Sequence, residues 1–76
     1  MKSINVMINS INDVKNFVNI VSKYDFDIDL ISDRYVVDAK SIMGIFSLDL
    51  TKPITVDVHT DDADEIMEEL KPYMAE

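Results

Sequence analysis

The sequence contains no cysteine and no tryptophan, and it has one glycine, one histidine and two prolines among its 76 residues. Without cysteine, neither a disulfide nor a thiolate metal site can stabilise the chain, which suits a reducing compartment. No apolar segment approaches the roughly 20 residues of a membrane-spanning helix, and the N-terminus lacks the long apolar core of a signal peptide. We therefore expect a small cytoplasmic protein that is stabilised mainly by its apolar core.

Positive charge is also scarce, since seven Lys and Arg residues stand against fifteen Asp and Glu residues, for a net charge of −8. Binding to a phosphate backbone needs a basic surface, so nucleic acid is not an expected partner. Anionic membrane surfaces are excluded for the same reason. A chain of this length buries about 60% of its unfolded surface and folds as one small unit. We expect residues 1–76 to form a single domain.

Alternating apolar and polar residues predict four strands. These strands cover residues 3–8, 24–32, 34–39 and 54–59. The second strand alternates most regularly, with aspartates at every other position on its outer face. The inward positions of the second and third strands are predicted to be Phe26, Ile28 and Leu30, followed by Tyr35, Val37 and Ala39.

Helical spacing of apolar residues predicts three helices between and after these strands. The first helix buries a stripe that starts at Ile11, with Ser10 as its N-cap and Lys23 near its last turn. The second helix begins after Ser41. The third follows the capping oxygens of residues 60–62, and Pro72 should distort or end it near Leu70, because proline lacks the N–H donor.

The predicted order is therefore β-α-β-β-α-β-α, an α+β arrangement with helices on one face of a sheet and water on the other. Periodicity does not fix the strand order, and a ferredoxin-like split β-α-β arrangement fits it too. No Ser-His-Asp spacing, glycine loop or close acid pair supports an enzyme. His59 shares a predicted face with several aspartates, but a solvated acidic surface explains this better than a metal site. No cofactor or metal is expected.

The one glycine lies in the apolar run 40–48, directly after a predicted strand and at the predicted start of the second helix. The segment Val37-Asp38-Ala39-Lys40-Ser41-Ile42-Met43-Gly44 resembles the regulatory-serine segment of HPr, the phosphocarrier of the bacterial sugar phosphotransferase system. The resemblance runs from about Asn12 to the C-terminus. It implies an open-faced β-sandwich whose four-stranded antiparallel sheet has the order 1-4-2-3, with three helices on one face.

The resemblance fails at the N-terminal active site of HPr, where a histidine accepts the phosphoryl group and an arginine helps to hold it. Matching the first helices places Ser10 at the histidine position and Asn12 at the arginine position. An alcohol is a poor nucleophile without an adjacent base, and an amide cannot replace a forked guanidinium at phosphate. We therefore expect an HPr-like protein that lacks histidine phosphocarrier activity and is not an enzyme.

The regulatory serine is retained as Ser41, which the resemblance marks as a target of an HPr-type kinase; a plain N-cap is the alternative, and both roles are compatible. By the same resemblance, Ile42, Met43 and Phe46 form a docking patch for protein partners of the phosphotransferase or catabolite-control type. The alternative is that Met43 or Phe46 completes the core. For the whole chain, the alternative is a divergent orphan domain, such as a ferredoxin-like small-molecule sensor with a pocket between sheet and helices.

Overall fold

The structure, a computed structural model, describes residues 2–75, so the first and last residues of the predicted domain lie outside it. Within this part the elements follow the predicted order β-α-β-β-α-β-α. They are β1 (Lys2–Val6), α1 (Ile11–Val21), β2 (Ile28–Ser32), β3 (Tyr35–Asp38), α2 (Ile42–Phe46), β4 (Ile54–Val58) and α3 (Asp64–Leu70), followed by a 3-10 turn at Lys71–Tyr73.

The four strands form one antiparallel sheet with the order β1-β4-β2-β3. β4 is central, and its Val56 lies in register with Ile4 of β1 and Leu30 of β2. This order matches what the resemblance to HPr implies. The predicted α+β open-faced β-sandwich is confirmed.

The core lies between the inner face of the sheet and the three helices. Alternate positions of β2 and β4 are buried, as the period of two requires. Phe17 of α1 is fully buried and meets the Tyr73 ring edge to face, with 6.0 Å between ring centroids. The largest fully buried side chains are Phe17, Ile8, Ile28, Leu30, Ile45, Ile54, Ile66, Leu70, Val6, Val14, Val21 and Val56.

All four predicted strands have different bounds in the structure, and β4 ends at Val58 instead of residue 59. β1 ends at Val6 instead of continuing to residue 8, and β3 is shorter than predicted by one residue at each end. β2 begins at Ile28 instead of residue 24, so the strand that alternation predicted over residues 24–27 is wrong. The Lys40 ammonium donates to the carbonyl oxygens of Tyr24 and Phe26 (2.6 and 3.0 Å), and these bonds fix the segment as a loop.

Several predicted orientations are also wrong, and each failure occurs at the end of an element. Ile11 is 63% exposed because it is the first residue of α1, and Tyr35 is 67% exposed because it begins the edge strand directly after a turn. α1 ends at Val21, so Lys23 lies beyond the helix and pairs with Glu69 of α3.

The start and end of α3 differ in how well the sequence predicted them. Its N-cap is Ala63, without a side-chain cap, and Thr60 Oγ1 accepts instead from the Asp62 N–H (3.3 Å). The capping oxygens predicted at residues 60–62 are therefore wrong. The end at Leu70, where the chain changes to a 3-10 turn containing Pro72, confirms the predicted effect of proline.

The two edges of the sheet are treated differently. The chain after α3 returns along β1, where the Met7 N–H donates to Tyr73 O (2.7 Å) and the Ala75 N–H donates to Asn5 O (2.8 Å). Val6 and Met74 form a bridge between these two bonds. β3, at the other edge, pairs with β2 alone among the strands of residues 2–75.

Candidate functional site at the start of α2

Ser41 is held at the start of α2 by a tight turn after β3. The Ser41 N–H donates to Asp38 O (3.0 Å), and the Asp38 carboxylate accepts from the Lys40 N–H (2.8 Å). Ser41 Oγ then accepts from the Gly44 N–H (3.2 Å), with the backbone of Ser41 extended as an N-cap requires. The predicted N-cap role of Ser41 is confirmed, and its side chain remains exposed.

Gly44, the one glycine of the sequence, lies in α2 because there is little room for a side chain at this position. A Cβ atom at this position would lie 3.3 Å from both Ser41 Oγ and Val37 Cβ, closer than ordinary van der Waals contact. Because Gly44 has no side chain, α2 can lie against β3 while the Gly44 N–H donates to the capping Ser41 hydroxyl. Gly44 therefore serves the close packing of α2 on β3.

The Lys40 side chain fastens the Ser41 segment to the rest of the fold. Its bonds to Tyr24 O and Phe26 O connect the turn before α2 to the loop that follows α1. Phe26 in turn packs partly buried against the core and lies 5.3 Å from the Tyr24 ring. The position of Ser41 is thus fixed by hydrogen bonds of the neighbouring Lys40 to another part of the fold.

α2 has one buried and one exposed face. Ile45 and Leu48 are buried in the core, whereas Met43 is 74% exposed and Phe46 is 43% exposed. Ile42 lies between these faces, half-buried and packed against the core. We call Ile42, Met43 and Phe46 the α2 surface. The alternative that Met43 or Phe46 completes the core is wrong, because the core is filled without them.

The N-terminus of α1 carries the other two predicted site residues. Ser10 Oγ accepts from the Asp13 N–H (3.1 Å), and Asp13 Oδ2 accepts from the Asn9 N–H (3.3 Å). Ser10 thus caps the helix, and Asp13 bonds back to the residue before the N-cap rather than to the N-cap amide that a capping box uses. Ser10 and Asn12 are exposed. The Ser10 hydroxyl is thus engaged with the backbone amide of Asp13 in the first turn of α1.

His59, the one histidine of the chain, lies elsewhere. It follows β4, its N–H donates to Asp27 O (3.0 Å), and its Nε2 lies 2.9 Å from Asp29 Oδ2 on the outer face of the sheet. That face is opposite to the helices. The predicted acidic surface lies on this face, although Asp29 and Asp57 are half-buried and Ser3 Oγ donates to the Asp57 carboxylate (2.5 Å). Within residues 2–75, no group of three or more metal-ligating side chains is arranged for an ion.

A cluster between α1 and α3 was missed by the sequence analysis. Glu69 accepts hydrogen bonds from Lys23 and Tyr24, which lower the pKa of its carboxyl, with the bond from Lys23 as the main cause. The bond to Glu69, aided by burial, raises the pKa of Tyr24 to about 12. The partners are 45 and 46 positions apart in the chain, so no local pattern reveals the cluster.

The part of the chain that the structure describes contains no pocket, either between sheet and helices or elsewhere. It also has no helix with the length and hydropathy needed to cross a bilayer. The exposed features on the helix side are therefore surfaces, and the α2 surface beside Ser41 is the candidate site.

Comparison with known proteins shows what the whole chain is similar to. The family model described as PTS HPr component phosphorylation site matches residues 12–76. Among solved structures, HPr-C-His from Thermoanaerobacter tengcongensis is 30% identical, with a TM-score of 0.78 over 92% of this chain and 86% of that chain. The phosphocarrier protein HPr from Bacillus anthracis str. Ames is 32% identical, with a TM-score of 0.73 over 97% of this chain and 94% of that chain.

A histidine-containing phosphocarrier protein of Mycoplasma shares the fold at 19% identity, with a TM-score of 0.71 over 93% of this chain and 86% of that chain. The comparison with curated proteins gave no match. The family match begins at Asn12, two residues after Ser10, so it covers the start of α2 and leaves the Ser10 position outside.

Proposed function

The chain belongs to the HPr family of the sugar phosphotransferase system, and we propose that it acts as a regulatory protein-interaction module without histidine phosphocarrier activity. Proteins of this family are phosphocarriers and not enzymes in the strict sense. Membership of the family replaces the alternative of an orphan domain. What is proposed is the loss of the carrier step and the use of Ser41 in its place.

The N-terminus of α1 supports the loss of carrier activity. The hydroxyl of Ser10 is engaged as a helix cap, and the nearest acid, Asp13, would repel a phosphoryl group placed there. Asn12 offers no positive charge to hold such a group. His59 could act as a nucleophile in principle, but it lies on the sheet face opposite to α1 and is paired with Asp29.

The observation that carries the proposal is the exposed Ser41 hydroxyl beside the exposed Met43 and Phe46 side chains. A solvated hydroxyl at the junction of a turn and a helix is accessible to a kinase. A partner that docks on α2 would cover the same surface. Phosphorylation and docking are thus directed to one small area of the molecule.

A phosphate on Ser41 would change the α2 surface from apolar to anionic. It adds about −1.5 to −2 charge at pH 7 and three strong acceptor oxygens. A partner that buries Met43 and Phe46 must then pair the phosphate with arginine or lysine, or it is repelled. Phosphorylation would therefore select between partners with and without a basic residue at this place.

The expected partners are proteins of the phosphotransferase or catabolite-control type, including an HPr-type kinase, and not nucleic acid or membrane. We place the protein in the cytoplasm, with residues 1–76 as one HPr-like domain. The acidic composition and the absence of cysteine support this assignment.

The proposal is tested by incubating the purified chain with ATP and an HPr-type kinase that labels ordinary HPr in parallel, and by measuring intact mass. We expect a gain of one phosphate that is lost in Ser41→Ala. Ser10→Ala is the matched control, because it also removes an exposed N-cap serine, and it should be phosphorylated like the parent. No mass gain in the parent, or labelling of Ser41→Ala, would contradict the assignment.

Carrier activity is tested separately with Enzyme I and phosphoenolpyruvate. We expect no acid-labile phosphate on the parent chain, whereas ordinary HPr in the same mixture is labelled. Acid-labile phosphate on the parent that disappears in His59→Gln would show that the carrier step has moved to His59 and would refute this half of the proposal.

A further inference from the structure

Within residues 2–75, β3 is an edge strand whose outer side pairs with no other strand. The Ala39 N–H donates to Ile28 O (2.8 Å), and the period of two in a strand then turns the backbone groups of Val37 and Tyr35 towards β2 as well. The backbone groups of Val36 and Asp38 point away from the sheet. The Asp38 carbonyl accepts from the Ser41 N–H, so the outward N–H groups of Val36 and Asp38 and the Val36 carbonyl face solvent.

Apolar side chains flank this edge on both faces. Tyr35, on the helix side, is 67% exposed, and Val36, on the outer side, is 62% exposed. Val36 is in register with Ile31 of β2, which is half-buried on the same outer face. The other edge of the sheet, at β1, is covered by the segment from Tyr73 to Ala75. The part of the chain that the structure describes therefore covers the β1 edge and leaves the apolar β3 edge unpaired.

The outer face beside this edge is acidic. Asp38, Asp29 and Asp57 stand in register on three adjacent strands, next to the row that holds Val36 and Ile31. Adjacent strands lie about 4.8 Å apart, so the three carboxylates form a continuous line. The outward positions of the four strands carry no lysine or arginine (they are Ser3, Asn5, Asp29, Ile31, Val36, Asp38, Thr55 and Asp57).

We propose that the open edge of β3 binds an extended, basic segment of a partner protein, which adds a fifth strand and places an apolar residue beside Val36 and a lysine or arginine two residues away beside Asp38. The spacing follows from the pleat, because Val36 and Asp38 project from the same face two residues apart. The charge follows from the carboxylate line. A second copy of this chain, with a net charge of −8, is a poor occupant by the same argument.

This site is separate from the α2 surface, since the Asp29 row lies on the face opposite to the helices. Asp38 also adjoins the turn that holds Ser41, because its carbonyl accepts from the Ser41 N–H and its carboxylate accepts from the Lys40 N–H. The proposal does not depend on phosphorylation, and Ser41→Ala should bind the segment as the parent does.

The test uses 15N-labelled protein and two peptides of about eight residues in which threonine alternates with one isoleucine and one arginine two residues apart. The arginine follows the isoleucine in one peptide and precedes it in the other, so that parallel and antiparallel strands can both place it beside Asp38. We expect changes in amide chemical shift that are confined to β3, the facing residues of β2 and the line of Asp38, Asp29 and Asp57. The affinity for the peptide should fall as salt is added. A peptide with glutamate in place of arginine should bind several-fold more weakly. Methylating the peptide amides on one side should abolish binding, and methylating the other side should not.

Protein variants complete the design. Asp38→Asn should weaken binding several-fold, whereas Asp61→Asn, which makes the same charge change in an exposed loop before α3, should have no effect. Val36→Thr keeps the shape and removes the apolar contact, so it should also weaken binding. The proposal is overturned if shifts at β3 are absent, if they centre on α2, or if neither pattern of methylation matters. Concentration-dependent shifts at β3 without peptide would instead identify a second copy as the occupant.

Discussion

Phe17 allows a quantitative test of the core, because its ring is fully buried and meets Tyr73 edge to face at 6.0 Å and 86°. Replacing a buried Phe with Ala typically costs about 3–5 kcal/mol. A chain of this length has a total free energy of unfolding of about 4–11 kcal/mol. Phe17→Ala should therefore remove a large part of the stability and leave a chain that is partly unfolded near room temperature.

The contact between the two rings is measured with a double-mutant cycle of Phe17→Leu and Tyr73→Leu. Both changes keep apolar volume, so the single variants should remain folded and can be compared in urea by circular dichroism. An edge-to-face pair contributes about 0.5–1.5 kcal/mol beyond its buried area, and this is the coupling that the cycle should give. It would show that the 3-10 turn after α3 is packed onto α1.

The control is Asn16→Ala, an exposed neighbour on the same helix, which should change the free energy of unfolding by less than about 0.5 kcal/mol. The slope of the urea transition should stay constant across the variants, so that the midpoints compare stability alone. If Phe17→Ala unfolds within about 1 kcal/mol of the parent, α1 does not present this face to the sheet. A coupling energy near zero would show that the Phe17 and Tyr73 rings do not contribute to stability through contact with each other.

Three further predictions concern the turn before β3 and the cluster that Glu69 of α3 forms with Lys23 and Tyr24. Asp33 has a φ of 53°, a left-handed conformation in which a Cβ atom costs about 1–2 kcal/mol. Asp33→Gly should therefore raise the thermal midpoint of unfolding, and Asp33→Val should lower it. The opposite order of midpoints would show that Asp33 is not strained. The bond from Lys23 lowers the pKa of Glu69, so the Glu69 carboxylate stabilises the fold above the ordinary pKa of 4.5. This stabilisation is lost as pH falls through the lower pKa of the folded state. Glu69→Gln should therefore make the free energy of unfolding depend less on pH in this acidic range. Because the pKa of Tyr24 is raised to about 12, its contribution is complete below pH 10 and is lost as pH rises to about 12. Tyr24→Phe should remove that alkaline step from a pH series of urea midpoints, and an unchanged step would contradict the assignment.

Features that depend on neighbours in the chain were predictable from the sequence. The N-caps Ser10 and Ser41 were predicted from residue type and position, because a cap bonds to an amide three residues away. The buried positions of β4 were predicted from alternation alone. The end of α3 before Pro72 follows from the missing amide of proline.

Features that depend on distant parts of the chain were not predictable in this way. Residues 24–27 alternate like a strand, but Lys40, far along the chain, holds their carbonyls in a loop. Tyr35 was predicted inward, but its exposure depends on β3 lying at the edge of the sheet. That strand order came from the resemblance to HPr and not from periodicity. At the candidate site, the cap of Ser41 was predictable, whereas the exposure of Met43 required the structure.

The central place of β4 has a consequence for how the chain acquires its structure. β1 is made first, yet its partner in the sheet begins about fifty residues later, where Ile54 pairs with Val6. At about 5–20 residues per second, the apolar side chains of β1 wait several seconds for that partner during synthesis. Only the β2–β3 hairpin can close early, because its strands are joined by a two-residue turn. We expect the closing of the long loop that brings β4 between β1 and β2 to be the slow step of folding.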